Sequence, residues 1–200
     1  MDAIEIDTPH GPARAHVTKV RGAVGALVLG HGAGGGVGAR DLTAAAEAAG
    51  AERFSVALVE QPYRVAGRRS PAPAAQLDAA WIAVVAKLRS GPLRRVPLVT
   101  GGRSCGARVA CRTAAETGAI GVLCLAFPLH PPGRPEKSRL SELDGVTAPV
   151  LIVQGESDPF GMPPGGPNRK VVKIRGNHSL SSEVVALRTA VGQWLAAQVR

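Results

Sequence analysis

Val96-Pro97-Leu98-Val99-Thr100-Gly101-Gly102-Arg103-Ser104-Cys105-Gly106 opens as a short apolar run and closes as a Gly-x-Ser-x-Gly turn. Beyond it, Ala107, Ala110, Cys111 and Ala114 recur at i, i+3, i+4 and i+7, giving a helix one apolar face with Arg108 and Arg112 standing off it. Strand, glycine-flanked serine and helix in that order form a nucleophile elbow. The turn requires backbone dihedrals that side chains resist, so glycines flank a serine whose hydroxyl is presented where strand gives way to helix.

The same alternation runs along the rest of the chain. Residues 3–7 and 14–20 read as two strands of a hairpin turned at His10-Gly11-Pro12, and residues 25–29, 54–60, 120–126, 149–154 and 171–174 as further strands. Between them, Asp41 is placed to cap an alanine-rich helix that Gly50 ends, and residues 61–73 read as a loop. Leu77, Trp81, Val84, Val85 and Leu88 mark one helical stripe; Leu187, Val191, Trp194 and Leu195 mark another, in a helix starting near Ser182. Strands alternating with helices predict an α/β fold, with a mostly parallel central sheet covered on both faces.

Bulk properties agree with one globular unit over residues 1–200. The chain is 45% hydrophobic and 20% charged, with aromatics at only 3%, so small aliphatic side chains must build the core. Cys105, Cys111 and Cys124 cannot all pair, which points to a reduced, cytoplasmic setting. No signal-like start and no apolar run of membrane-spanning length is present, so neither export nor membrane insertion is expected. The net charge of +9 is spread along the chain without a nucleic-acid motif, and no nucleic-acid partner is expected. Oligomeric state is not legible, and no metal or cofactor is called for.

Two further segments supply the chemistry that a serine needs. Asp158 lies just past one buried strand and His178 just past the next, and ligands in such sheets bind outside the carboxyl ends of the strands. Ser104, Asp158 and His178 therefore share one edge, in the chain order serine, acid, histidine. An imidazole can take the serine proton, and a carboxylate can fix its tautomer. Glu156 is a rival acid two residues earlier.

The glycine-rich stretch His31-Gly32-Ala33-Gly34-Gly35-Gly36 follows the strand at residues 25–29. Ala33 or Gly34 could offer a backbone amide which, with that of Cys105, forms an oxyanion hole worth roughly 3 kcal/mol per donor. His31 reads as orienting this loop. His31, Arg64, Arg103 and His130 are further candidates to touch substrate.

Gly101-Gly102-Arg103-Ser104-Cys105-Gly106, Phe127-Pro128-Leu129-His130-Pro131 and Gly176-Asn177-His178-Ser179 together resemble one group. It is the α/β-hydrolase family of testis-expressed protein thirty and the third subunit of the NSL chromatin complex, whose bacterial members are small hydrolases akin to dienelactone hydrolases. The resemblance spans residues 25–195. It implies the α/β-hydrolase fold and the roles of nucleophile, acid and base for Ser104, Asp158 and His178, without implying a substrate. Dienelactone hydrolases use a cysteine nucleophile; here position 104 is serine, which favours ester hydrolysis through serine, with Cys105 turned into the helix packing. Residues 127–148 are too few for a helical cap, so an open site suited to small acyl esters is expected.

Two other function classes compete. Gly30-His31-Gly32-Ala33-Gly34-Gly35 also satisfies the dinucleotide pattern Gly-x-Gly-x-x-Gly, with Glu60 at the spacing of a ribose-binding acid, as in an NAD(P)-binding Rossmann-type enzyme. A catalytically silent interaction protein on the same fold is the other.

Overall fold

In the computed structural model, which describes residues 2–199, eight strands form one sheet in the order β1-β2-β4-β3-β5-β6-β7-β8. They are β1 (Asp2–Ile6), β2 (Ala13–Thr18), β3 (Gly25–Gly30), β4 (Phe54–Glu60), β5 (Leu98–Arg103), β6 (Gly121–Leu125), β7 (Val150–Gly155) and β8 (Arg169–Ile174). From β4 to β8 all neighbours are parallel, whereas β1 and β2 form the expected hairpin and β2 joins β4 antiparallel.

Central strands bury both of their faces, which is why they read as unbroken apolar runs. Leu27, Leu29, Val99, Leu123, Leu151 and Val153 point to one side, against α1 (Arg40–Ala51) and α7 (Val184–Gln198). Their alternate neighbours face the other side. There Ala26, Val28 and Leu98 meet the Leu77, Trp81, Val84, Val85 and Leu88 stripe of α3 (Ala74–Ser90), while Val122, Cys124 and Ile152 meet α4 (Cys105–Arg112). The α7 stripe of Leu187, Val191, Trp194 and Leu195 is buried as expected.

Several local expectations are corrected. Asp41 is not the N-cap: α1 starts one residue earlier, behind Ala39, and Asp41 lies inside its first turn, 1% exposed, with its Oδ1 accepting from the Leu42 N–H at 2.9 Å. Gly50 lies within that helix, and the left-handed residue after it is Arg53, at φ 61°. The loop at residues 61–73 contains the one-turn helix α2 (Pro62–Val65), started by Pro62, whose missing N–H costs nothing there. The helix after the elbow breaks at Thr113 and resumes as α5 (Ala114–Thr117).

The crossover from β6 to β7 carries only α6 (Leu140–Asp144), and no cap covers the sheet edge. Arg108 grips Glu142 of α6 with two hydrogen bonds of 2.8 and 2.6 Å, and Arg112 grips Asp78 of α3 at 2.8 and 2.7 Å. Arg112 also reaches Glu142 at 3.2 Å, so one part-buried ion network fastens α6 and α3 to α4. Among the described residues, no helix is long and apolar enough to cross a membrane.

Candidate active site

Ser104 stands between β5 and α4 at φ 51°, ψ −108°, a conformation that a non-glycine residue adopts only where its surroundings enforce it. Enforcement comes from close packing beneath the turn. A side chain at Gly102 would run into the Gly30 carbonyl and Gly106, and one at Gly106 into the carbonyls of Gly30 and His31. The Ser104 N–H donates to the Leu125 carbonyl at 2.9 Å, tying the turn to the end of β6.

His178 follows β8, and its Nε2 lies 2.8 Å from Ser104 Oγ. Its Nδ1 lies 2.8 Å from Asp158 Oδ2. A carboxylate can only accept, so Nδ1 carries the proton and Nε2 is left to accept from the serine hydroxyl. Asp158 is held on every side: its Oδ1 accepts from the Phe160 N–H at 2.9 Å, and its Oδ2 accepts from Gln154 Nε2 at 2.8 Å. The Asp158 side chain is 1% exposed and that of His178 17%, so only the histidine end of the relay meets solvent. Glu156, the rival acid, is exposed and makes no contact with His178. Such a relay can withdraw the hydroxyl proton and hold the resulting imidazolium.

Two supports of the relay went unread in the sequence. The Phe160 ring lies over the imidazole, with centroids 4.2 Å apart. Gln154, next to last in β7, is fully buried, and its amide also reaches the carbonyls of Phe127 and Gly161 at 3.1 and 2.9 Å. A polar residue closing an otherwise apolar buried strand was the available signal.

The glycine loop lies against Ser104: a Cβ added to Gly32 would sit 3.6 Å from Ser104 Cβ. His31 is 2% exposed; its Nδ1 donates to the Gly32 carbonyl at 2.8 Å, and its Nε2 accepts from the Gln61 N–H at 3.1 Å. With both ring nitrogens engaged, His31 holds the loop and has nothing left for a substrate. Burial pushes its pKa below the usual histidine range, and the neutral form suits these two bonds. The Ala33 carbonyl accepts from the Tyr63 hydroxyl at 3.0 Å. Among the described residues, the N–H groups of Ala33 and Gly34 enter no backbone hydrogen bond, and Cys105, first in α4, has no intrahelical acceptor for its own.

The other substrate candidates each make contacts within the protein. Arg103 pairs with Asp41 at 2.8 Å and donates to the His178 carbonyl at 3.2 Å, so its guanidinium braces the site. His130 turns Nδ1 to the Pro131 carbonyl at 2.8 Å and packs over Gly161. Arg64 donates to the Arg68 carbonyl at 3.3 Å. Cys105 packs against the core beside α3, and burial pushes its thiol pKa up, away from thiolate chemistry.

Dinucleotide geometry is missing. A phosphate-binding glycine loop opens its helix at the glycines, whereas α1 begins only at Arg40, and Glu60 is taken by His16 at 2.9 Å.

A family model described as an alpha/beta hydrolase domain matches residues 23–183. The fold is similar to XC6422 from Xanthomonas campestris, a serine hydrolase without a lid, at 21% identity over 98% of this chain and 94% of that one, TM-score 0.77. It is likewise similar to Est1E from Butyrivibrio proteoclasticus, at 17% identity over 100% and 99% of the two chains, TM-score 0.79. A dienelactone hydrolase from Anabaena variabilis matches at 19% identity over 98% and 94%, TM-score 0.72. With the elbow, the strand order and the family match in agreement, the chain belongs to the alpha/beta hydrolase family.

Proposed function

We propose that this protein is a serine esterase acting on small acyl esters, with Ser104 as nucleophile, His178 as general base and acid, and Asp158 as the carboxylate that orients the imidazole. The observation that carries the reading is the unbroken run of 2.8 Å contacts from Ser104 Oγ through His178 to Asp158. In the first step Oγ bonds to the acyl carbon while its proton passes to His178 Nε2. The carbonyl oxygen, now an oxyanion, takes hydrogen bonds from the Cys105 amide and from Ala33 or Gly34. Collapse expels the alkoxide, which leaves with the proton from Nε2. Water, activated by the same nitrogen, then cleaves the acyl-enzyme and releases the acid.

Without a cap over the sheet edge, long acyl chains find little apolar enclosure, which favours short acyl groups. The elbow sequence Gly-Gly-Arg-Ser-Cys-Gly supports a place near testis-expressed protein thirty and its bacterial relatives, and three free cysteines suit a reducing compartment.

A fluorophosphonate probe tests the reading. Labelling of the wild type that disappears in Ser104→Ala, together with turnover of 4-nitrophenyl acetate, is expected. An unlabelled wild type would leave the fold as a scaffold without catalysis.

A further inference from the structure

The turn that carries Asp158 touches His178 twice. Asp158 Oδ2 meets the edge of the imidazole, 2.8 Å from Nδ1, and two residues later the Phe160 ring lies over its face, centroids 4.2 Å apart and planes tilted by 33°. Both contacts come from one braced piece of backbone. The Phe160 N–H donates to Asp158 Oδ1 at 2.9 Å, its carbonyl accepts from the His130 N–H at 3.0 Å, and Pro159 between acid and ring has its φ fixed.

Core packing does not account for this phenylalanine. The chain has three, and Phe54 and Phe127 are fully buried in the core. Phe160 is only half-buried, and it packs on an imidazole whose side chain is itself 17% exposed.

Charge decides what the contact contributes. A neutral imidazole gives the phenyl face van der Waals contact and little more. Once Nε2 has taken the Ser104 proton, the imidazole carries a positive charge, and a cation within about 6 Å of an aromatic centroid is drawn to the negative face of the ring. Two charged groups otherwise bear on His178: Asp158 at Nδ1, and the Arg103 guanidinium, which donates to the His178 backbone carbonyl at 3.2 Å. The arginine opposes a second positive charge beside it, whereas the carboxylate and the phenyl face favour one. An attraction that grows only as the proton arrives lowers the barrier and leaves substrate binding alone.

We propose that Phe160 is a positioning residue whose ring face stabilises the His178 imidazolium formed as Ser104 gives up its proton, an inference that rests on the serine esterase reading.

The test places 4-fluoro-, 3,5-difluoro- and 3,4,5-trifluorophenylalanine at position 160 by codon suppression, a series that keeps the shape of the ring while draining charge from its face. The rate of fluorophosphonate labelling and kcat for 4-nitrophenyl acetate are both expected to fall stepwise with fluorine number, by about five-fold at three fluorines, with KM little changed. Phe160→Tyr keeps the wild-type rates, and Phe160→Leu, which retains apolar bulk without a π face, loses about as much as the trifluoro variant. A flat fluorine series in a labelled, active enzyme overturns the role of Phe160 and leaves the esterase reading standing. So does Phe160→Leu at the wild-type rate. A wild type that neither labels nor turns over the ester overturns the esterase reading and this role with it. Should Phe160→Leu melt early, the fluorinated series, in which only the electrons of the ring change, still decides.

Discussion

Arg103, the residue before Ser104, is joined to the buried Asp41 of α1 at 2.8 Å, and the same guanidinium donates to the backbone carbonyl of His178 at 3.2 Å. Asp41 is 1% exposed, so the pair ties elbow, helix and histidine loop together from inside the protein. Arg103→Gln strands a buried carboxylate and is expected to cost about 3–5 kcal/mol in denaturant unfolding. Asp41→Asn is expected to cost less, because the remaining arginine is 20% exposed and can hydrate. Adding Asp41→Asn to Arg103→Gln should recover part of the loss; simple additivity of the two would show that the groups act separately.

Gln154 donates to the same Asp158 oxygen that accepts from His178. Gln154→Leu leaves Ser104, His178 and Asp158 in place while freeing that carboxylate to turn. Fluorophosphonate labelling and kcat are expected to fall about ten-fold with KM little changed, the pattern of a lost orienting contact. An unchanged kcat would mean that the Phe160 N–H alone fixes Asp158.

His31 titrates below the usual histidine range because it is buried. The unfolded chain therefore binds a proton at a higher pH than the fold does, and stability contributed by neutral His31 is lost as pH falls from 6.5 toward its lowered folded value. Melting temperature recorded across that window should drop less steeply in His31→Gln, which has no titration there. Parallel profiles for the two proteins would assign the acid sensitivity elsewhere.

Gly106 packs its α-carbon against the Gly30 carbonyl beneath the elbow. Gly106→Ala must push β3 and α4 apart, at a cost of about 1–3 kcal/mol measured by urea unfolding. Ser104→Ala in the same assay should stay near or above wild type, since alanine removes only the hydroxyl from that turn. Equal losses in both would place the strain in residue 104 itself.

Much of this site was readable from local pattern. The elbow, the acid and the histidine each follow a strand, and a parallel sheet brings such positions to one edge whatever the order of its strands. Asp41 was misread for a physical reason. Next to an alanine-rich helix an aspartate resembles a cap, yet Asp41, Ala45 and Ala48 fall at i, i+4 and i+7, in phase with the buried stripe. That phase was the missed signal of a buried charge needing a distant partner. Phe160 against His178 and the sharing of His31 between Gly32 and Gln61 depend on how loops meet after folding, and no spacing in the chain encodes them.

The ion network of Arg108, Glu142, Arg112 and Asp78 bears on the pace of turnover. The network pins α6 to the elbow helix, so on the proposed esterase reading no movement of α6 is expected before an ester arrives or an acid departs. Progress curves should begin without a lag, and neither a lipid surface nor detergent should be needed to switch the reaction on. On the proposed esterase reading, what the open edge gives up is shelter: a substrate would stay hydrated along one side, and water would wait beside the acyl-enzyme from the moment it formed.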